Sequence, residues 1–301
     1  MPWHAVSQTH TTRDNPDTHT RNVTPAVCRT GAARGRSVES CPVKIALLDS
    51  GIGLLAAAAA LRRLRPDVDL VLSSDPDGMP WGPRTPEDLT EHALACARAA
   101  AALRPHALVV ACNTASVHAL ARLRAELEPG LPVIGTVPAI KPAAADGGSV
   151  AIWATPATTG SAYQRGLIAD FGGAAEVTEV ACPGLADAVE RGDRAAIAGA
   201  VTDAAARTPV GTTAVVLGCT HYEMVRDEIR AAVADRAAPG VRFHGSADAV
   251  AAQVLRRLDA AAIGPGSGTL TVLHNGRSSQ LTGAALGYPE GALIASAVPA
   301  G

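Results

Sequence analysis

Two short stretches carry the residue types most able to do chemistry. In Ala107–Ser116, ALVVACNTAS, an apolar run ends at Ala111 and is followed by Cys112, Asn113, Thr114, Ala115 and Ser116. In Thr213–Tyr222, TAVVLGCTHY, a second run ends at Gly218 and is followed by Cys219, Thr220, His221 and Tyr222. A thiolate can take a proton from carbon and a thiol can return one. Two sulfurs facing one carbon from opposite sides would therefore invert its configuration, and the reverse reaction would only exchange their roles.

Each thiol needs a neighbour to tune it. Asp49, which ends the apolar run Val43–Leu48, is the candidate beside Cys112, and His221 is the candidate beside Cys219. Ser50, Asn113, Thr114 and Thr220 supply neutral donors for the carboxylates of a small anionic substrate. The plainer readings are that a cysteine ending a buried strand is core, and that Asp49 alone is a helix N-cap. Trp81, in the loop Asp75–Arg84, fits a ligand cover and a cap on the core equally. Repetition favours the chemical reading, because both cysteines follow an apolar run and precede small polar donors. Cys182 also follows such a run, but Pro183 replaces the donor, so it reads as packing, as does Cys96. Glu190 reads as a solvated helix residue, with the lining of a cleft as its alternative, and His118 as a surface residue.

Apolar runs at Val43–Leu48, Asp69–Ser74, Pro132–Gly135, Ser149–Ala154, Glu176–Ala181, Val241–His244 and Thr269–Leu273, with the two cysteine stretches, predict strands. They alternate with alanine-rich helical segments, which gives parallel sheets with helices on both faces. Ligands of such sheets bind off the carboxyl ends of the strands, where a following helix N-terminus is expected to lower a thiol's pKa. The expected fold is α/β, with two pseudo-symmetric lobes. Each is a mostly parallel sheet flanked by helices, and the active site lies in the cleft between them. Lobe 1 is expected over residues 43–138 plus 241–290 and lobe 2 over 139–240. Residues 1–42 read as a disordered extension, and residues 291–301 as a flexible tail.

Bulk properties bound the function. A chain of 301 residues with 48% hydrophobic and 18% charged residues can bury a large core. The net charge of −2 leaves no basic stripe for nucleic acid. Six cysteines without a C-x-x-C pair argue against zinc and dithiol redox chemistry. No apolar run reaches membrane-spanning length, and no apolar signal segment stands near Met1, so a cytoplasmic location is expected. No nicotinamide, flavin or pyridoxal signature stands out, and no cofactor or metal is expected. The expected partner is a small-molecule substrate, with no nucleic acid and no membrane; a homodimer is allowed.

Taken together, these motifs resemble those of the glutamate racemases, cofactor-independent members of the aspartate/glutamate racemase superfamily. The similarity runs from about Lys44 onward. Asp49-Ser50-Gly51-Ile52-Gly53 looks like the family's first loop, and Pro80-Trp81-Gly82-Pro83-Arg84 resembles its Pro-Tyr-Gly loop. Cys112-Asn113-Thr114-Ala115-Ser116 and Gly218-Cys219-Thr220-His221-Tyr222 match its two cysteine motifs; Ala181-Cys182-Pro183 and Asn275-Gly276-Arg277 also have counterparts. The resemblance implies interconversion of L- and D-glutamate, feeding D-glutamate to peptidoglycan synthesis. It implies Cys112 and Cys219 as the acid/base pair, assisted by Asp49 and His221. Substrate contacts are implied for Asp49, Ser50, Trp81, Gly82, Asn113, Thr114, Thr220 and His221. Leu54 stands where the family has a further glycine and Trp81 where it has tyrosine; either could narrow the pocket. Another racemase or a decarboxylase of the superfamily, or a non-catalytic binding protein, are the alternatives.

Overall fold

The computed structural model describes residues 42–258 and 264–296. The first unit runs β1 (Lys44–Asp49), a 3-10 turn at Ile52–Leu54, α1 (Leu55–Leu64), β2 (Asp69–Ser74), α2 (Pro86–Ala101), β3 (Ala107–Val110), α3 (Asn113–His118), α4 (Leu120–Leu127) and β4 (Val133–Gly135). The second runs α5 (Ile140–Ala144), β5 (Ser149–Ala154), α6 (Ala162–Phe171), β6 (Glu176–Ala181), α7 (Leu185–Arg191), α8 (Arg194–Arg207), β7 (Thr212–Leu217), a 3-10 helix at Thr220–Val225, α9 (Arg226–Val233) and β8 (Ala237–His244). The chain then forms α10 (Ala247–Arg257), β9 (Leu270–His274), β10 (Arg277–Ser279), α11 (Gly283–Leu286) and α12 (Pro289–Ala295).

The strands form two sheets, ordered β10-β9-β2-β1-β3-β4 and β6-β5-β7-β8. Every pairing is parallel except β9 with β10. The order β2-β1-β3-β4 of the first unit recurs as β6-β5-β7-β8 in the second, so the two cysteine units occupy equivalent places. In each sheet the strand order reverses beside the first strand of the unit, between β1 and β3 and between β5 and β7. Crevices for ligands open at such points, off the carboxyl ends. Register pairs Leu48 with Val110, so Asp49 and Cys112 leave the sheet side by side.

The central strands are covered on both faces, which is why they read as unbroken apolar runs: β1 is buried from Ile45 to Asp49 and β3 throughout. Helix α1, LAAAAALRRL, is buried from Leu55 to Arg62. Its five consecutive alanines favour the helix and keep its surface thin, so α10, α12 and the 220–225 turn all pack against it. The buried Arg62 guanidinium donates to the carbonyls of Pro66, Gly268 and Thr269, fastening the returning chain to the end of α1.

Several expectations are corrected. Val241–His244 was expected in the first lobe, yet it completes β8, which pairs with β7 in the second sheet; the chain returns to the first unit only after His244. The expected tail at 291–301 begins inside α12, where Gly291 and Ile294 are buried against the core; residues 297–301 lie outside the described residues. So does the extension expected at 1–42, apart from Pro42. Between β9 and α11 the chain adds the short antiparallel strand β10, which no apolar run announces because all three of its residues are exposed. Leu54, one of two departures from the family pattern that could narrow the pocket, is buried in the core cluster and is not among the residues lining the cavity between the two units.

Candidate active site

Cys112 follows β3 and is the residue that precedes α3. Cys219 follows Gly218 beyond β7 and precedes the 3-10 helix at Thr220–Val225, not the α-helix expected there. Both thiols line one cavity of about 300 Å³ between the two units, at the small end of ligand pockets. All the residues expected at the site line this cavity: Asp49, Ser50, Trp81, Gly82, Cys112, Asn113, Thr114, Cys219, Thr220 and His221. No Lys or Arg is among the described residues that line it.

Asp49 is fully buried and does not cap a helix; its Oδ1 accepts the N–H of Ser50 at 2.7 Å. Its Oδ2 is buried without a hydrogen bond. Burial pushes the carboxyl up from 3.8 to about 6, against the opposing pull of the His221 charge, the adjacent Cys112 thiol and the Ser50 N–H. Cys112 departs from expectation. Burial, reinforced by the Asp49 charge, pushes its thiol well above the ordinary value, and the Ala115 N–H of the following helix does not offset this. Desolvation outweighs the helix terminus, so Cys112 is held as the protonated acid.

On the other wall His221 Nδ1 stands 3.8 Å from Cys219 Sγ, and Nε2 stands 2.9 Å from Glu190 Oε2. Burial opposes charging of the imidazole. The contacts with Cys219 and Glu190, with the negative charge of Cys219 and Asp49, outweigh it and hold the pKa well above the ordinary histidine value. An imidazolium is therefore available to donate to the Cys219 sulfur. For Glu190, burial likewise works against the charge, but the His221 contact and the Ile52 N–H keep the carboxyl below its usual range.

Glu190, favoured by the sequence as solvated and left out of the expected site, takes its alternative place and lines the cavity. It is half-buried on α7 and reaches across to the first unit, where its Oε2 accepts the N–H of Ile52 at 2.8 Å. Its partners lie 31 and 138 positions away, so no local pattern marks it. A second cross-unit bond runs from Asn113 Nδ2 to the Gly218 carbonyl at 2.9 Å, leaving Asn113 Oδ1 buried without a partner. Gly53 lies where the two units approach closely. A Cβ there would collide with Asp49 Oδ2 and Thr220 Oγ1 and would lie 2.7 Å from His221 Nδ1.

The remaining candidates resolve as follows. Cys182 is 1% exposed, its Sγ lies 3.4 Å from the Val180 carbonyl, and burial pushes its thiol up to about 12; it packs within the wall of the same cavity. Tyr222 is fully buried and its hydroxyl donates to the Cys182 carbonyl at 3.4 Å, tying the turn after Cys219 to the Cys182 loop. Trp81 serves both of its expected uses, since it is 1% exposed within the core and also forms part of the cavity wall.

The family model described as Asp/Glu/Hydantoin racemase matches residues 53–254. The chain is 40% identical over 199 residues to a glutamate racemase of Roseiflexus sp. (strain RS-1), covering 64% of this chain and 72% of that one. It is 36% identical over 227 residues to a glutamate racemase of Pseudomonas putida, covering 72% and 82%. A crystal structure of Escherichia coli glutamate racemase, in complex with L-glutamate and the activator UDP-MurNAc-Ala, superposes with a TM-score of 0.66 at 27% identity. That superposition covers 75% of this chain and 85% of that one.

Proposed function

Because the chain belongs to the Asp/Glu/Hydantoin racemase family, we propose that it interconverts L- and D-glutamate, with Cys112 and Cys219 as the two proton-transfer groups. The observation that carries this reading is the single small cavity with a thiol on each wall, each thiol backed by its own charged partner.

In one direction the Cys219 thiolate, paired with the His221 imidazolium, takes the α-proton. The C–H bond breaks, an S–H bond forms, and the electron pair stays on the α-carbon, delocalised into the α-carboxylate. The Cys112 S–H then breaks as a C–H bond forms on the opposite face. One turnover leaves the two sulfurs with exchanged protonation, and the reverse reaction restores them. Asp49 takes up or releases charge beside Cys112 as that sulfur gains and loses its proton. Ser50, Asn113, Thr114 and Thr220 donate to the substrate carboxylates. The unpartnered Asp49 Oδ2 and Asn113 Oδ1 accept from its ammonium group, since a buried acceptor left unpaired is costly. Among the described residues no helix is long and apolar enough to cross a membrane. We place the reaction in the cytoplasm, as a source of D-glutamate for peptidoglycan, and leave a homodimer allowed.

Incubation with L-glutamate in D2O tests this directly. D-glutamate carrying deuterium at the α-carbon is the expected product. Cys112→Ser and Cys219→Ser should each lower kcat/KM by about a thousandfold or more. Tight binding of glutamate without α-proton exchange would select a non-catalytic binding protein. Turnover of another amino acid in place of glutamate would select a different racemase of the family.

A further inference from the structure

Behind the cavity wall lies a hydrogen-bonded group that the proton transfers do not use. The indole Nε1 of Trp81 donates to Asp75 Oδ2 at 2.9 Å. His92 Nδ1, from α2, stands 2.7 Å from the same oxygen. Asp75 Oδ1 accepts the Gly78 N–H at 3.2 Å, and the Asp75 N–H donates to the Ser50 carbonyl at 3.1 Å. Asp75 thus joins the Trp81 loop to the Ser50 loop, and both loops line the cavity.

The histidine is built into this arrangement. Any side chain at position 78 would run into both Asp75 Oδ2 and His92 Nδ1, so their close approach depends on Gly78. Arg84 donates from Nε to the Gly78 carbonyl at 2.6 Å and pairs with Asp88, whose Oδ1 lies 3.7 Å from His92 Nε2. The Asp75 side chain is only 10% exposed, and a buried carboxylate is costly unless donors surround it. His92, 29% exposed at the outer end of the chain of contacts, is the second side-chain donor that makes this buried acceptor tenable. Without it, Asp75 has reason to turn toward water and release the indole.

We propose that His92 is a positioning residue for substrate binding. Acting through Asp75, it holds Trp81 and the Ser50 loop in the arrangement that fits the substrate, and so governs KM without taking part in proton transfer. This rests on the racemase reading of the cavity. His92 is not among the residues lining the cavity and meets Trp81 through Asp75, so kcat is the parameter it leaves alone.

The test uses the full chain, wild type beside His92→Ala, His92→Asn and Trp81→Phe, assayed by polarimetry with L-glutamate. Alanine is favourable at a helical position, so His92→Ala is expected to fold. Loss of one charge-assisted hydrogen bond predicts a KM raised about tenfold in His92→Ala with kcat within about twofold. In His92→Asn, the amide nitrogen takes the place of Nδ1, and KM should return most of the way to wild type. Trp81 emission, identified by its loss in Trp81→Phe, should shift to the red in His92→Ala and not in His92→Asn. Wild-type activity with an unchanged KM and unchanged emission in His92→Ala would overturn the role of His92 alone, as would a fall confined to kcat. Absence of racemisation in the wild type would instead overturn the reading of the cavity.

Discussion

Replacing Asp49 by asparagine should make the protein more stable and less active at neutral pH. The folded carboxyl titrates at about 6 where an ordinary aspartate titrates at 3.8, and burial is the main cause. Between those two values the unfolded chain has lost the proton while the folded chain keeps it, so stability falls as pH rises. Above about 6 both states are ionised and the cost is complete. At about 1.4 kcal/mol per pH unit, the gap amounts to about 3 kcal/mol at pH 7.5 and about half of that at pH 5. Asparagine imitates the neutral acid and can keep the acceptor for the Ser50 N–H. Urea denaturation followed by circular dichroism should find Asp49→Asn more stable by up to about 3 kcal/mol at pH 7.5, with the advantage shrinking toward pH 4. Racemisation should fall by about a hundredfold or more, because the charge partner of Cys112 is gone. A variant less stable than wild type at pH 7.5, or an advantage that does not change with pH, would refute the assignment of a desolvated, functional carboxylate.

Other outcomes follow from the same structure. Glu190→Gln removes one of the contacts that raise the His221 pKa. The alkaline limb of the kcat/KM profile should move to lower pH, and kcat should fall by about tenfold or more; an unmoved limb would show that Glu190 does not hold the imidazolium. Leu54→Ala empties a core position and not a pocket position. It should cost about 2–5 kcal/mol of stability by denaturant titration and leave the KM for glutamate within error; a lowered KM would return Leu54 to the pocket.

The strands and both cysteine turns were legible because a strand covered on both faces must be an unbroken apolar run, as β1 and β7 are. Polar residues after such a run have to emerge at the carboxyl edge, so Asp49, Cys112 and Cys219 could be placed without coordinates. What sequence hid depends on burial and distance. The helix-terminus argument predicted a lowered Cys112 pKa, and it failed because desolvation, invisible along the chain, is the larger effect. Glu190 looked like any charge on a short amphipathic helix until tertiary packing delivered it to His221 and Ile52. The boundary expected at residue 241 failed for a related reason. The β8 strand is half-exposed and carries Pro239 and Gly240, so its core-facing residues do not announce which sheet they join.

The two halves repeat in topology but not in chemistry, and racemisation makes use of the difference. A proton removed on one face and returned on the other needs acids and bases on opposing walls, and a repeated β2-β1-β3-β4 unit supplies these from one folding pattern. The partners of the two sulfurs differ: a carboxyl beside Cys112 and an imidazolium beside Cys219. On the proposed chemistry the His221 cation faces Cys219 when that sulfur acts as the base. After turnover, on the proposed chemistry, the thiolate lies at Cys112, where a fully ionised Asp49 would repel it. A carboxyl that titrates at about 6 can relieve this by taking a proton at modest cost. On that chemistry, the burial that costs stability at Asp49 is what lets Cys112 serve as base in the return direction. Two hydrogen bonds, Asn113 to the Gly218 carbonyl and the Ile52 N–H to Glu190, join the two units beside this carboxyl.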